Sequence, residues 1–237
     1  MRLLFITGTD TGVGKTVLTA LLLAHLRRTG RRALALKPFC SGSRADVTLL
    51  RSLQHGELSV EEVNPFYFAQ PVAPWVATRR TPQRLVKLQT VTWHIRSIAA
   101  RHLSGTTSDE FLLVEGCGGL LVPLGDNFTV LDLVARLRCE TVIVSRNRLG
   151  TINHTLLAVR ALAQARQGAR NGVRSKVVLM SPRLPDASAA TNPGALSALL
   201  GSVPLFRLPF LGPRCRTAGR LHEHARRLSR VLEAIIH

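Results

Sequence analysis

The stretch Gly8-Thr9-Asp10-Thr11-Gly12-Val13-Gly14-Lys15-Thr16 constrains this chain more than any other. An apolar run, Arg2–Thr7, precedes it, and Val17–Thr29 follows with apolar residues at helical spacing, stopped by Gly30. A glycine-rich loop ending in Gly-Lys-Thr between a strand and a helix is the setting of a phosphate-binding P-loop. There the N–H groups of Gly12, Val13 and Gly14 turn toward phosphate, Lys15 reaches the β and γ oxygens, and Thr16 offers its hydroxyl to Mg²⁺. Five residues separate Gly8 from Gly14, one more than in the common P-loop pattern.

The rest of the chain alternates in the same way. RRALALKP reads as a second strand, which Pro38 prevents from continuing, and a helix is expected from Asp46 to His55. Asn64–Arg80 is rich in proline and reads as an irregular surface connection, followed by helical periodicity from Pro82 to Leu103. Further buried strands are expected at Glu110–Glu115, Glu140–Ser145, Ser175–Met180 and Pro204–Leu208, with Gly116–Gly119 a loop. Helices are expected at Leu131–Leu137, at Asn153–Gln167, and as one closing amphipathic helix from Leu221 to Ile236. Strands that are apolar throughout and alternate with helices imply a parallel sheet covered on both faces. With no repeat and no long linker, residues 1–237 read as a single α/β domain.

Composition narrows the partners. The net charge of +18 comes from 32 basic residues, 28 of them arginine, spread along the chain instead of clustered. The 11 aromatics are not interleaved with the basic pairs as a stacking platform for nucleic acid requires, so nucleic-acid binding is not expected. No apolar run reaches the roughly 18 residues of a membrane span. The N-terminus lacks the pattern of a secretory signal, and four scattered cysteines without Cys-x-x-Cys spacing fit a reducing, cytoplasmic setting.

A P-loop needs acidic partners for its metal. Glu115 ends a buried strand, where ligands gather in open α/β sheets, and Asp46 follows the second strand; the bland alternatives are a solvated edge carboxylate and a helix cap. Lys37, also at a strand end, is either solvated or a second cation for the transferred phosphoryl group. Leu149-Gly150-Thr151-Ile152-Asn153-His154 opens a helix, whose free N–H groups form either an anion site or an ordinary turn.

Taken together, GTDTGVGKT (8–16), LKPFCSGS (36–43), NPFYFAQPVAP (64–74), LVEGCGGLLVPL (113–124) and LGTINHTLL (149–157) resemble the dethiobiotin synthetase family across most of residues 1–160. The resemblance implies a P-loop NTPase-type fold with a mostly parallel seven-stranded sheet, a homodimer, and Mg·ATP as co-substrate. It implies that 7,8-diaminononanoate and CO₂ or bicarbonate are joined into a ureido ring through a carbamate and a carbamic-phosphoric anhydride. Carried over to this chain, Lys15 and Lys37 hold the γ-phosphate and carbamate, and Thr16, Asp46 and Glu115 bind Mg²⁺. Thr11, Ser41 and Gly118 meet the reacting end of the substrate. Gly150, Thr151, Ile152 and Asn153, offered by the partner subunit, grip its carboxylate.

The resemblance is incomplete. The family often has an asparagine that reads adenine where Met180-Ser181-Pro182 stands here, so base contact is expected from backbone groups and from Pro209. Two other readings share the P-loop style. A cobyrinate diamide-type amidase-ligase would carry a glutamine-hydrolysing domain for which this chain has no room. A partitioning ATPase that binds DNA would carry a lysine early in the P-loop, where Thr9 and Asp10 stand.

Overall fold

The alternation of buried strands and helices produces three layers in a computed structural model, which describes residues 1–80, 86–104, 109–165 and 174–237. The first half contains β1 (Arg2–Gly8), α1 (Lys15–Arg28), β2 (Arg32–Leu36), β3 (Phe39–Ser41), α2 (Ala45–Leu53), α3 (Val60–Val63), β4 (Phe66–Phe68), α4 (Pro74–Arg80) and α5 (Leu88–His102). The second half contains β5 (Glu110–Gly119), β6 (Pro123–Gly125), β7 (Phe128–Thr129), α6 (Val130–Leu137), β8 (Glu140–Arg146), α7 (Thr151–Ala165) and β9 (Ser175–Met180). A short 3₁₀ turn, Ala187–Ala190, leads into α8 (Asn192–Leu199), β10 (Leu205–Leu208), α9 (Ala218–Arg227) and α10 (Ser229–Ile236).

Among the described residues the central sheet has six strands in the order β10-β9-β8-β1-β5-β2, and every neighbouring pair is parallel. The resemblance implied seven. Pro38 has no N–H to extend β2, and β3 leaves the sheet to pair with β4, its Phe39 ring stacked on Phe66 at 5.0 Å. The 64–80 connection is thereby more ordered than its prolines suggest, since it contains β4 and α4. Residues 116–119, expected as a loop, complete β5, while the closing helix is two helices joined at Leu228. Helix α5 begins at Leu88, and the expected helical residues 82–85 and 166–167 lie outside those described.

Period-2 alternation decides what each strand aims at the P-loop. Leu4 and Ile6 of β1, Ala33 and Ala35 of β2, and Phe111 and Leu113 of β5 face α1, α9 and α10. Phe5, Leu34, Leu36, Leu112 and Val114 face the opposite layer of α5, α6 and α7. Continuing the first set by two residues brings Lys37 after β2 and Glu115 in β5 to the α1 face, at the carboxyl ends of adjacent strands.

Candidate functional site

Gly14 ends the P-loop in the left-handed conformation (φ +110°), and α1 begins with Lys15. The Val13 side chain turns under the loop into the core, where a Cβ on Gly8 would approach it to 2.7 Å. Gly8 therefore lets the loop close over its own apolar anchor. Lys15 is buried and donates to the Asp10 carbonyl at 2.9 Å. Burial lowers its pKa, an effect the Glu115 carboxylate partly opposes.

The fully buried Glu115 is the hub. Its Oε1 accepts from the Thr16 hydroxyl and from Lys37 Nζ, each at 2.6 Å, while Oε2 is buried with no hydrogen-bond partner. Lys37 also donates to Asp46 Oδ2 at 2.6 Å. Burial alone would lower the Lys37 pKa, but the carboxylates of Glu115 and Asp46 reverse this and raise it. Asp46 titrates below its usual range: burial pushes upward, and Lys37 and Arg216 outweigh it.

These groups line a cavity of about 660 Å³. Of the sequence-expected residues, the P-loop brings Thr11, Gly12, Gly14, Lys15 and Thr16 to its wall. Lys37, Ser41, Asp46, Glu115 and Gly118 form the facing side. The segment Gly150–Asn153 does not line this cavity: Thr151 is buried with its hydroxyl 2.6 Å from that of Ser145, and Asn153 is exposed on α7. Pro209 is exposed after β10 and also lies outside the lining. Met180 packs against the P-loop instead, 3.1 Å from where a Gly14 Cβ would stand.

Sequence reasoning missed several lining residues, among them Phe39, Ser43, Pro71, Pro74, Cys117 and Arg216. Arg216, from the segment between β10 and α9, lines the cavity and bonds Asp46 Oδ1. One arginine among 28 carries no signal of its own. Cys117, also in the lining, has its thiol pKa pushed up to about 11 by burial, so it stays protonated beside the two lysines.

The donor set fits a hard divalent cation. It combines the Thr16 hydroxyl with the carboxylates of Asp46 and Glu115, and Oε2 of Glu115 is buried without a partner. Among the described residues no three His, Cys, Asp or Glu side chains gather into an all-protein cage. Mg²⁺ suits so partial a shell, because it keeps waters and takes further oxygens from substrate phosphates.

A family model described as an AAA domain matches residues 2–210. An ATP-dependent dethiobiotin synthetase of Anaeromyxobacter sp. (strain Fw109-5) is 41% identical over 213 residues, covering 88% of this chain and 90% of the relative. The synthetase of Bacillus subtilis (strain 168) is 38% identical over 217 residues, covering 90% and 86%. Among solved structures, the MinC:MinD cell division protein complex of Aquifex aeolicus aligns with a TM-score of 0.57 at 14% identity, covering 97% of this chain and 96% of that one. The pNOB8 ParA bound to nonspecific DNA aligns at 0.53 and 11%, covering 98% and 99%. At these identities the structural likeness shows a common P-loop fold.

Proposed function

The chain belongs to the ATP-dependent dethiobiotin synthetase family, and from that premise we propose how its own groups carry the reaction. It is a cyclo-ligase of biotin biosynthesis that forms dethiobiotin with consumption of ATP. The observation that carries the assignment of roles is the cluster Lys37–Glu115–Thr16–Asp46 set against the P-loop lysine. In this reading the P-loop amides and Lys15 hold the triphosphate, with Thr16, Asp46 and Glu115 available to a bound Mg²⁺. When bound, Mg²⁺ neutralises charge on the β and γ phosphates.

One amine of 7,8-diaminononanoate adds to the carbon of CO₂ and loses a proton, giving a carbamate. A carbamate oxygen then attacks the γ-phosphorus and ADP leaves. The second amine attacks the carbonyl carbon of the resulting carbamic-phosphoric anhydride and loses a proton, the ureido ring closes, and phosphate departs. Lys15 and Lys37 face the oxygens on which negative charge grows, which is where fixed cations accelerate phosphoryl transfer. Thr11, Ser41 and Gly118 line the space beside them for the reacting diamine.

The substrate's far carboxylate needs a donor that the cavity of one chain does not supply from α7. We assign it to the Gly150–Asn153 segment of a second copy in a homodimer, where the α7 N-terminus offers N–H groups to an anion. Leu149 and Leu157, exposed at 80% and 57%, supply apolar surface beside that segment for the partner to cover. No described helix is long and apolar enough to cross a membrane.

The test is direct. Purified protein incubated with 7,8-diaminononanoate, bicarbonate, Mg²⁺ and ATP, without glutamine, yields dethiobiotin by mass. Absence of product under these conditions, with ATP intact, would remove the assignment.

A further inference from the structure

Arg216 contributes a third cation to the cavity, and neither the P-loop nor the strand ends account for it. It lies in the stretch between β10 and α9 that contains neither helix nor strand, one residue before the Thr217 that precedes α9. Its side chain is 49% exposed, yet it reaches inward to Asp46 Oδ1 across 170 residues of sequence. Because Lys37 holds Asp46 Oδ2, both oxygens of that carboxylate are engaged by cations. A divalent ion approaching Asp46 must compete with them.

We propose that Arg216 is a further ligand of the nucleotide's phosphates, held on Asp46 until they arrive. The inference rests on the Mg·ATP reading above. The cavity lining carries three cations, Lys15, Lys37 and Arg216, against two carboxylates, Asp46 and Glu115. Without Arg216 those side-chain charges cancel, and attraction of a polyanion is left to the P-loop amides. A guanidinium has five N–H donors in a planar fork that matches phosphate oxygens bidentately, and Asp46 Oδ1 engages only part of it. Phosphate oxygens seated beside Lys15 draw the fork more strongly than a carboxylate already shared with Lys37. The exposed stem leaves the side chain free to turn. Its departure uncovers Asp46 Oδ1 for the metal, so nucleotide binding improves metal binding and, by reciprocity, metal binding improves nucleotide binding.

An ordinary structural ion pair predicts a different pattern from a transferable ligand. Arg216→Gln is expected to bind Mn²⁺ alone about fivefold more tightly than wild type, because a competitor for Asp46 is gone. The same variant is expected to bind a nonhydrolysable ATP analogue with Mg²⁺ about tenfold more weakly, with Arg216→Lys between the two. Mn²⁺ is followed by the electron paramagnetic resonance of the free ion, and the analogue by calorimetry. Unchanged affinity for either probe, or affinities that fall together, overturns the proposal. Glu115→Gln in the same Mn²⁺ titration separates the two layers of argument. If it leaves Mn²⁺ affinity intact, the metal reading falls and takes this inference with it. If it weakens Mn²⁺ while Arg216→Gln behaves as wild type, only the role of Arg216 is overturned.

Discussion

Two lysines of one cavity sit in different surroundings, and removing them has different consequences. Lys15 donates to a backbone carbonyl, so Lys15→Ala leaves no buried carboxylate without its cation. Lys37 lies between Asp46 and the fully buried Glu115, and Lys37→Ala strands a buried negative charge. Breaking such a pair from one side costs about 3 kcal/mol or more in stability. Both variants are expected to lose at least about a hundredfold in kcat, through lost stabilisation of growing phosphoryl charge. Thermal melts then separate them: Lys15→Ala stays near wild type, and Lys37→Ala melts several degrees lower. Equal melting temperatures would refute the buried-hub account of Lys37. Glu115→Gln replaces a charged oxygen by an amide, a poor ligand for a hard cation, and is expected to raise the half-saturating Mg²⁺ concentration about tenfold. An unchanged magnesium titration would remove Glu115 from the metal site.

At the scale of elements, the closing helices show what charge does for docking. Glu233 of α10 accepts from the Arg31 guanidinium, from His25 Nε2 at 2.7 Å and from His237 Nε2 at 2.9 Å. The Arg31 hydrogen bond leads in holding its carboxyl down to about 2, from an ordinary 4.5. A carboxyl whose folded pKa is depressed contributes stability above the unfolded pKa and loses it as pH falls through the folded one. Stability from this contact is therefore complete above about pH 5 and lost between there and about pH 2. With the side chain a third exposed, solvent screening reduces its worth to about 1 kcal/mol. Glu233→Gln should be less stable at pH 7 by that amount and should lose less on acidification, as chemical denaturation at pH 7 and pH 3 would measure. Parallel pH profiles for the two proteins would refute the contact's role. Neither this contact nor the break at Leu228 was legible beforehand, because a basic amphipathic segment reads the same whether it forms one helix or two. The strands of the central sheet were legible, since apolar runs flanked by turn residues have few other uses, whereas the two- and three-residue strands β3, β4, β6 and β7 are too short to show such a run. Lys37 and Glu115 were legible as strand-end groups, but their meeting depends on the parity of two strands distant in sequence. Arg216 was not legible at all: its place is set by the path of the chain between β10 and α9.

For the whole molecule, the sharpest consequence concerns the number of chains needed to make one active site. The P-loop, Lys37 and Glu115 share a cavity, whereas Asn153 stands exposed at the start of α7, outside that cavity. If a partner's α7 completes the carboxylate subsite, two defective proteins can repair each other. Lys15→Ala removes the phosphate cation from a chain's own cavity, and Asn153→Asp sets a repelling carboxylate where that chain meets its partner's substrate. In a two-fold dimer of one variant with the other, one site carries both defects and the other carries neither. Random exchange places about half of the molecules in such mixed dimers, each with one intact site of two, so activity returns to about a quarter of wild type. Each variant alone is expected to retain a few per cent or less of wild-type turnover at modest diamine concentration, since repulsion at the carboxylate acts on substrate binding. The variants are mixed after mild dissociation and assayed for dethiobiotin, with size-exclusion chromatography confirming reassociated dimers. Recovery near a quarter requires a site built from two chains. If reassociated mixed dimers gain nothing over the average of the separate variants, Asn153 serves its own chain's cavity or none, and the shared-site reading fails.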